Sequence, residues 1–305
     1  MLSAKPWKAD AIIRLGLSVL VCIYAGSVLM SAGHYVIAGG EASPWLFYPL
    51  EAAALLCMVV TLSLIGRPWQ GERFGRRMLV LLICSYSGLF LGAWAQRLAG
   101  PGAEEPSIWR MVGATLCFQG AGLWLIARFL REEQSTWTEG FGFLNHPRQA
   151  VLLGLLAALI FLPLGWGLQQ ASAWVMTHLP HFKLEPREQL PVHALRVSMS
   201  WSGRLTLGAT AVLLAPITEE ILFRGILYPA IKQFGYPRVA LWGTSLLFAA
   251  VHTNVVTFVP LVVLALVLTA LYERTNNLLA PVAAHVLFNA LNFAELLVLQ
   301  HIGVV

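Results

Sequence analysis

Residues 205–231 read LTLGATAVLLAPITEEILFRGILYPAI. The stretch is apolar at both ends and long enough to cross a bilayer, which takes about 20 residues of helix. Yet Glu219, Glu220 and Arg224 lie in its second half. A charge at membrane depth costs about 2.5–3.5 kcal/mol on insertion scales, so such groups face protein or a water-filled cavity and mark function. A helix turns about 100° per residue, which sets Glu220 and Arg224 (i, i+4) about 40° apart and able to pair, with Glu219 about 140° from Arg224. This predicts a division of labour, with Glu220–Arg224 as a brace and Glu219 as a reactive carboxylate on another face. Pro216 cannot donate its backbone nitrogen, and its ring crowds the carbonyl of Val212. A kink that opens room for water is expected there.

Working outward, the whole chain has the same character. Of 305 residues, 58% are hydrophobic and 11% charged, against about 25% charged in a soluble domain. Mean hydropathy is +0.71. Apolar runs fall near 11–32, 47–66, 78–97, 109–129, 150–176, 206–230, 237–252, 256–272 and 278–300. The expected fold class is all-α, a polytopic transmembrane helical bundle of about eight to nine spans. The seventh and eighth runs are short and read as partial spans or a tight hairpin around Thr253 and Asn254. Residues 1–149 read as an N-terminal transmembrane region of about four spans with few ionisable groups. Residues 150–305 read as the membrane domain that carries the chemistry.

The net charge is +5. The basic residues lie mostly between the runs, with few aromatics among them, which argues against nucleic acid as a partner and for contact with the lipid bilayer. Arg67, Arg73, Arg76 and Arg77 share one link, Arg128, Arg131 and Arg148 another, and residues 33–46 carry no Lys or Arg. The positive-inside rule then expects the N-terminus and both basic links in the cytoplasm. Lys183, Arg187, Arg196 and Arg204 break strict alternation, and with Pro180, Pro186 and Pro191 they make 179–204 read as an interfacial segment. The first run resembles a signal peptide, but its length reads as a retained helix. Cys22, Cys57, Cys84 and Cys117 all lie within apolar runs without CxxC spacing and read as inert thiols. Glu51 reads as a residue at a span entrance.

The remaining polar residues of the apolar runs gather in the last third. Phe248 and His252 stand at i, i+4, as do His285 and Asn289. Two chemistries fit this set. Glu219, His252 and His285 could hold zinc with a position open for water. Alternatively, Glu219 and His252 activate a water directly while His285 and Asn289 donate hydrogen bonds to an oxyanion. Both hydrolyse a carbonyl substrate, and no GxSxG motif is present.

Glu219-Glu220-x-x-x-Arg224, Phe248-x-x-x-His252 and His285-x-x-x-Asn289, in that order within 205–295, resemble the three motifs of the CPBP family. These are the CAAX prenyl endopeptidases and bacteriocin-processing enzymes, also called the Abi family. The resemblance implies an intramembrane endopeptidase. It implies Glu219, His252, His285 and Asn289 as catalytic residues, with Glu220, Arg224 and Phe248 in support. It implies a glutamate mechanism with no cofactor, favoured here over zinc, since the chain lacks an HExxH helix. The implied partner is a membrane-anchored or lipidated protein substrate. A non-catalytic membrane scaffold or immunity protein of the same fold and a proton-coupled transporter are the rival readings. Loss of substrate cleavage in Glu219→Gln separates the enzyme from both.

Overall fold

The computed structural model describes residues 2, 4–38, 43–69, 74–99, 108–178, 201–252 and 254–302, with side chains at 108–114, 116, 117, 300 and 301 left aside. Every regular element among the described residues is helical, as the apolar runs predict: α1 (Ala9–Ala38), α2 (Pro44–Ile65), α3 (Phe74–Leu98), α4 (Ile108–Glu132), α5 (Trp137–Phe141), α6 (Pro147–His178), α7 (Trp201–Gln233), α8 (Pro237–Val251), α9 (Val255–Thr275) and α10 (Leu279–His301). Seven of these, namely α1, α2, α3, α6, α7, α9 and α10, are long and apolar enough to cross a membrane, and α8 is a shorter apolar helix. The chain is a multi-pass membrane protein.

The boundaries differ from the sequence reading at the sixth and eighth spans, while the seventh is short as expected. The sixth span is a 33-residue helix. It begins at Trp201, inside the segment expected to be interfacial; residues 179–200 lie outside the described residues. The seventh is a partial span of 15 residues, opened by Pro237 at its first position. The eighth is a full span of 21 residues, capped by the Asn254 side chain accepting from the Thr257 N–H at 3.1 Å. Thr253, placed by expectation in a hairpin, lies outside the described residues.

The chain forms two compact units, residues 8–133 and residues 1–7 with 134–305. In the first, Val28, Ala54 and Met58 make one core cluster, and Tyr35 stacks on Phe47 with centroids 4.0 Å apart. Arg14 is buried and pairs with Asp10 and Glu132. Glu51 is buried too, within 3.3 Å of the Ser31 hydroxyl, so it meets protein where a span entrance was expected.

In the second unit, α6, α9 and α10 share a core of Ala158, Phe161, Leu264, Leu268 and Ala284. The α9–α10 turn is held by Asn277, which is fully buried. Its amide nitrogen donates to the Asn145 carbonyl at 2.7 Å, and its amide oxygen accepts from the Leu279 N–H at 2.8 Å, starting α10. Gly154 of α6 lies directly against the Ala280 carbonyl of α10, where a Cβ would collide with backbone. Backbone cannot rotate away as a side chain can. Gly154→Ala should therefore destabilise the protein by about 1–3 kcal/mol. Gly16→Ala, where a Cβ meets nothing within 4 Å, is the control. Equal melting temperatures for the two variants in detergent would contradict this packing.

Candidate active site

The chemistry-bearing helix α7 is not uniformly α-helical. It contains two π-helical turns, Thr210–Leu214 and Ile221–Leu227, on either side of the α segment Ala215–Glu220. Such turns are often found at functional sites. Where the sequence predicts a kink at Pro216, the helix has a widened turn just before it. Glu219 and Glu220 close the α segment, and Arg224 sits in the second π turn.

Glu220 is fully buried, and its Oε1 lies 2.7 Å from Arg224 Nη1. The guanidinium is held further by the Ala265 carbonyl at 3.3 Å and by the face of Phe248, 4.4 Å from the ring centroid. A buried charge pair persists only when its remaining donors are met, and the α9 backbone and the Phe248 ring meet them here. The same Glu220 oxygen lies 2.9 Å from His285 Nδ1. A carboxylate oxygen accepts, so Nδ1 carries a proton in this contact, and Nε2 is the nitrogen left for other partners. That Nε2 is 3.9 Å from Glu219 Oε2. Glu219 itself is 26% exposed against 0% for Glu220. Adjacent residues of one helix thus sit in opposite settings.

Phe248 organises the rest. It is wholly buried, with the rings of Phe223, His252 and His285 at centroid distances of 5.3, 4.9 and 5.7 Å. His252 ends α8, and its Nδ1 lies 2.7 Å from the Phe248 carbonyl. The carbonyl can only accept, so His252 donates from Nδ1 and leaves Nε2 for other partners. Asn289 donates from Nδ2 to the Ala211 carbonyl in the first π turn, at 3.0 Å. Three helices therefore bring together Glu219, Glu220, Arg224, Phe248, His252 and His285, with Asn289 one turn along α10. No hydrogen bond or ion pair joins Glu219 to His252 among the described residues. Nor do three His, Cys, Asp or Glu side chains gather there as a metal site requires.

Sequence reasoning missed the backbone partners, the carbonyls of Ala211 and Ala265. Both depend on helix-to-helix register, which a single helix's pattern does not carry.

Residues 200–291 match the family described as type II CAAX prenyl endopeptidase, Rce1-like. The chain is 33% identical over 94 residues to "Uncharacterized protein YpbD" of Bacillus subtilis (strain 168), covering 30% of this chain and 45% of that protein. It is 31% identical over 74 residues to "UPF0177 protein YxdF" of Lactococcus lactis subsp. lactis (strain IL1403), covering 24% of this chain and 40% of that protein. The chain spans less than half the length of these curated relatives. No solved structure matches it. The matched segment contains every residue of the cluster built above, and over residues 200–291 the chain is similar to the CAAX prenyl endopeptidase family.

Proposed function

We propose that the protein is an intramembrane endopeptidase that hydrolyses a peptide bond in a membrane-anchored or lipidated precursor. The observation that carries this reading is the pairing of a partly exposed Glu219 with His285 Nε2 across 3.9 Å. That gap is too wide for a direct hydrogen bond but fits one oxygen bonded to both. Glu219 takes a proton from the attacking water, whose oxygen adds to the scissile carbonyl carbon. His252, held at Nδ1 by the Phe248 carbonyl, helps to position the same water. His285 then takes that proton from Glu219 at Nε2 and, steadied at Nδ1 by Glu220, donates it in a hydrogen bond to the oxyanion. Asn289 supplies a second donor, since the Ala211 carbonyl uses only one of its two N–H bonds. The proton then passes to the amide nitrogen as the C–N bond breaks, leaving a new carboxylate and a new amine. Arg224 and Phe248 hold the cluster in place. Prenylated CAAX proteins and bacterial precursors with a C-terminal membrane anchor both fit this substrate class. The basic links at Arg67–Arg77 and Arg128–Arg148 favour a cytoplasmic N-terminus.

The mechanism separates from a zinc mechanism by experiment. Dialysis against a strong chelator is expected to leave cleavage intact; loss of activity that zinc alone restores would overturn the metal-free reading. Asn289→Ala should lower kcat by about 10²–10³ with KM little changed, because an oxyanion donor acts only in the transition state. A change confined to KM, measured by steady-state cleavage in detergent, would remove Asn289 from that role.

A further inference from the structure

Each π turn of α7 is followed at once by a proline, Pro216 after the first and Pro229 after the second. At the first junction the Ala215 N–H reaches back five residues to the Thr210 carbonyl. At the second the Tyr228 N–H reaches back five to the Phe223 carbonyl. The next residue in each case is proline, with no N–H to give. Pro216 offers nothing to the carbonyls five and four residues before it, Ala211 and Val212. Pro229 offers nothing to Arg224 and Gly225.

One carbonyl of each pair is met from outside the helix. Asn289 Nδ2 donates to Ala211. At the other end the Trp7 indole Nε1–H donates to Gly225 at 3.2 Å, across 218 positions of sequence, in a buried setting. Gly225 is the residue after Arg224, and it is a glycine in a place where a Cβ would sit 2.7 Å from the Phe141 ring. Phe141 in turn packs against Trp7 at a centroid distance of 6.4 Å. The segment before Trp7 is anchored to the same helix end. The Gln233 amide, nitrogen toward the chain, donates to the Lys5 carbonyl at 3.0 Å, and Lys5 Nζ lies 5.7 Å from the centre of the Tyr272 ring.

We infer that Trp7 is a positioning residue for the catalytic segment: its indole N–H replaces the backbone donor that Pro229 lacks and fixes the turn carrying Arg224. The Glu219–Arg224 stretch is then pinned at both ends through carbonyls the helix cannot serve itself, by Asn289 at one end and Trp7 at the other. The pin acts through Arg224 and Glu220 on His285, so it governs turnover and leaves substrate binding alone. The effect on turnover rests on the proposed peptidase function; the pin itself does not.

The test is a cycle between Trp7→Phe, which keeps an aromatic ring against Phe141 and removes the N–H, and Pro229→Ala, which returns a backbone donor aimed at Gly225. Trp7→Phe should lower kcat by about tenfold with KM unchanged, the size of one net hydrogen bond transmitted to the site. In the Pro229→Ala background the same change should cost less than about twofold, because the carbonyl is served from within the helix. Amide hydrogen exchange over 221–228 should quicken in Trp7→Phe and return toward the Pro229→Ala rate in the double variant. If Phe disturbs packing, 3-benzothienylalanine at position 7 keeps the bicyclic ring and lacks only the N–H, and must give the same results. No loss, a loss in KM alone, or equal losses in both backgrounds would overturn the inference. Should the wild-type protein cleave no substrate, the peptidase reading fails and the exchange experiment alone decides the pin.

Discussion

Glu220→Gln is expected to destabilise the protein by about 3–5 kcal/mol, the cost of leaving one member of a buried ion pair without its partner. The substitution keeps the shape of the side chain and removes its charge. Arg224 is 2% exposed and would be left with the Ala265 carbonyl and the face of Phe248 as its neighbours. Neither carries a formal charge. Replacing both members together, as Glu220→Gln with Arg224→Met, should cost less than the sum of the two single changes, since no orphaned charge remains. Activity should fall as well, because the Glu220 oxygen also holds His285 Nδ1 at 2.9 Å and so fixes which imidazole nitrogen faces Glu219. Thermal melting in detergent reads the first effect and steady-state cleavage the second.

Glu219→Gln should do the reverse. Its side chain is partly exposed, and its Oε2 lies 3.9 Å from His285 Nε2. Exchanging carboxylate for amide there should leave melting nearly unchanged. Turnover should drop by about 10²–10⁴, the range for loss of a general base. The pair of variants therefore separates brace from base. If Glu220→Gln melts with the wild type while Glu219→Gln is unstable, the two roles have been assigned backwards.

The Glu220–Arg224 pair was legible in the sequence because both residues belong to one helix, where the angle between positions follows from the helical repeat. Long apolar runs made the helical class legible for a similar local reason. The reach of His285 to Glu220 was not, being set by how α7 and α10 pack across 65 positions. The sequence reading set His285 at an oxyanion but could not show that its Nδ1 rests on Glu220 and that the role falls to Nε2. Pro216 announced a distortion, but whether a helix answers with a kink or a π turn depends on which outside groups can meet the freed carbonyls. Here Asn289 meets Ala211, and no pattern within 205–231 could reveal a donor in another helix.

The most direct test of the central claim is cleavage in water enriched with oxygen-18. The purified protein in detergent, with chelator present, is incubated with a peptide carrying a C-terminal lipid or membrane anchor, and the products are weighed by mass spectrometry. The wild type should give two fragments from one cut, with a single heavy oxygen in the new carboxylate, and Glu219→Gln should give none above background. No cleavage by the wild type of any anchored peptide, or equal cleavage by Glu219→Gln, would contradict the account.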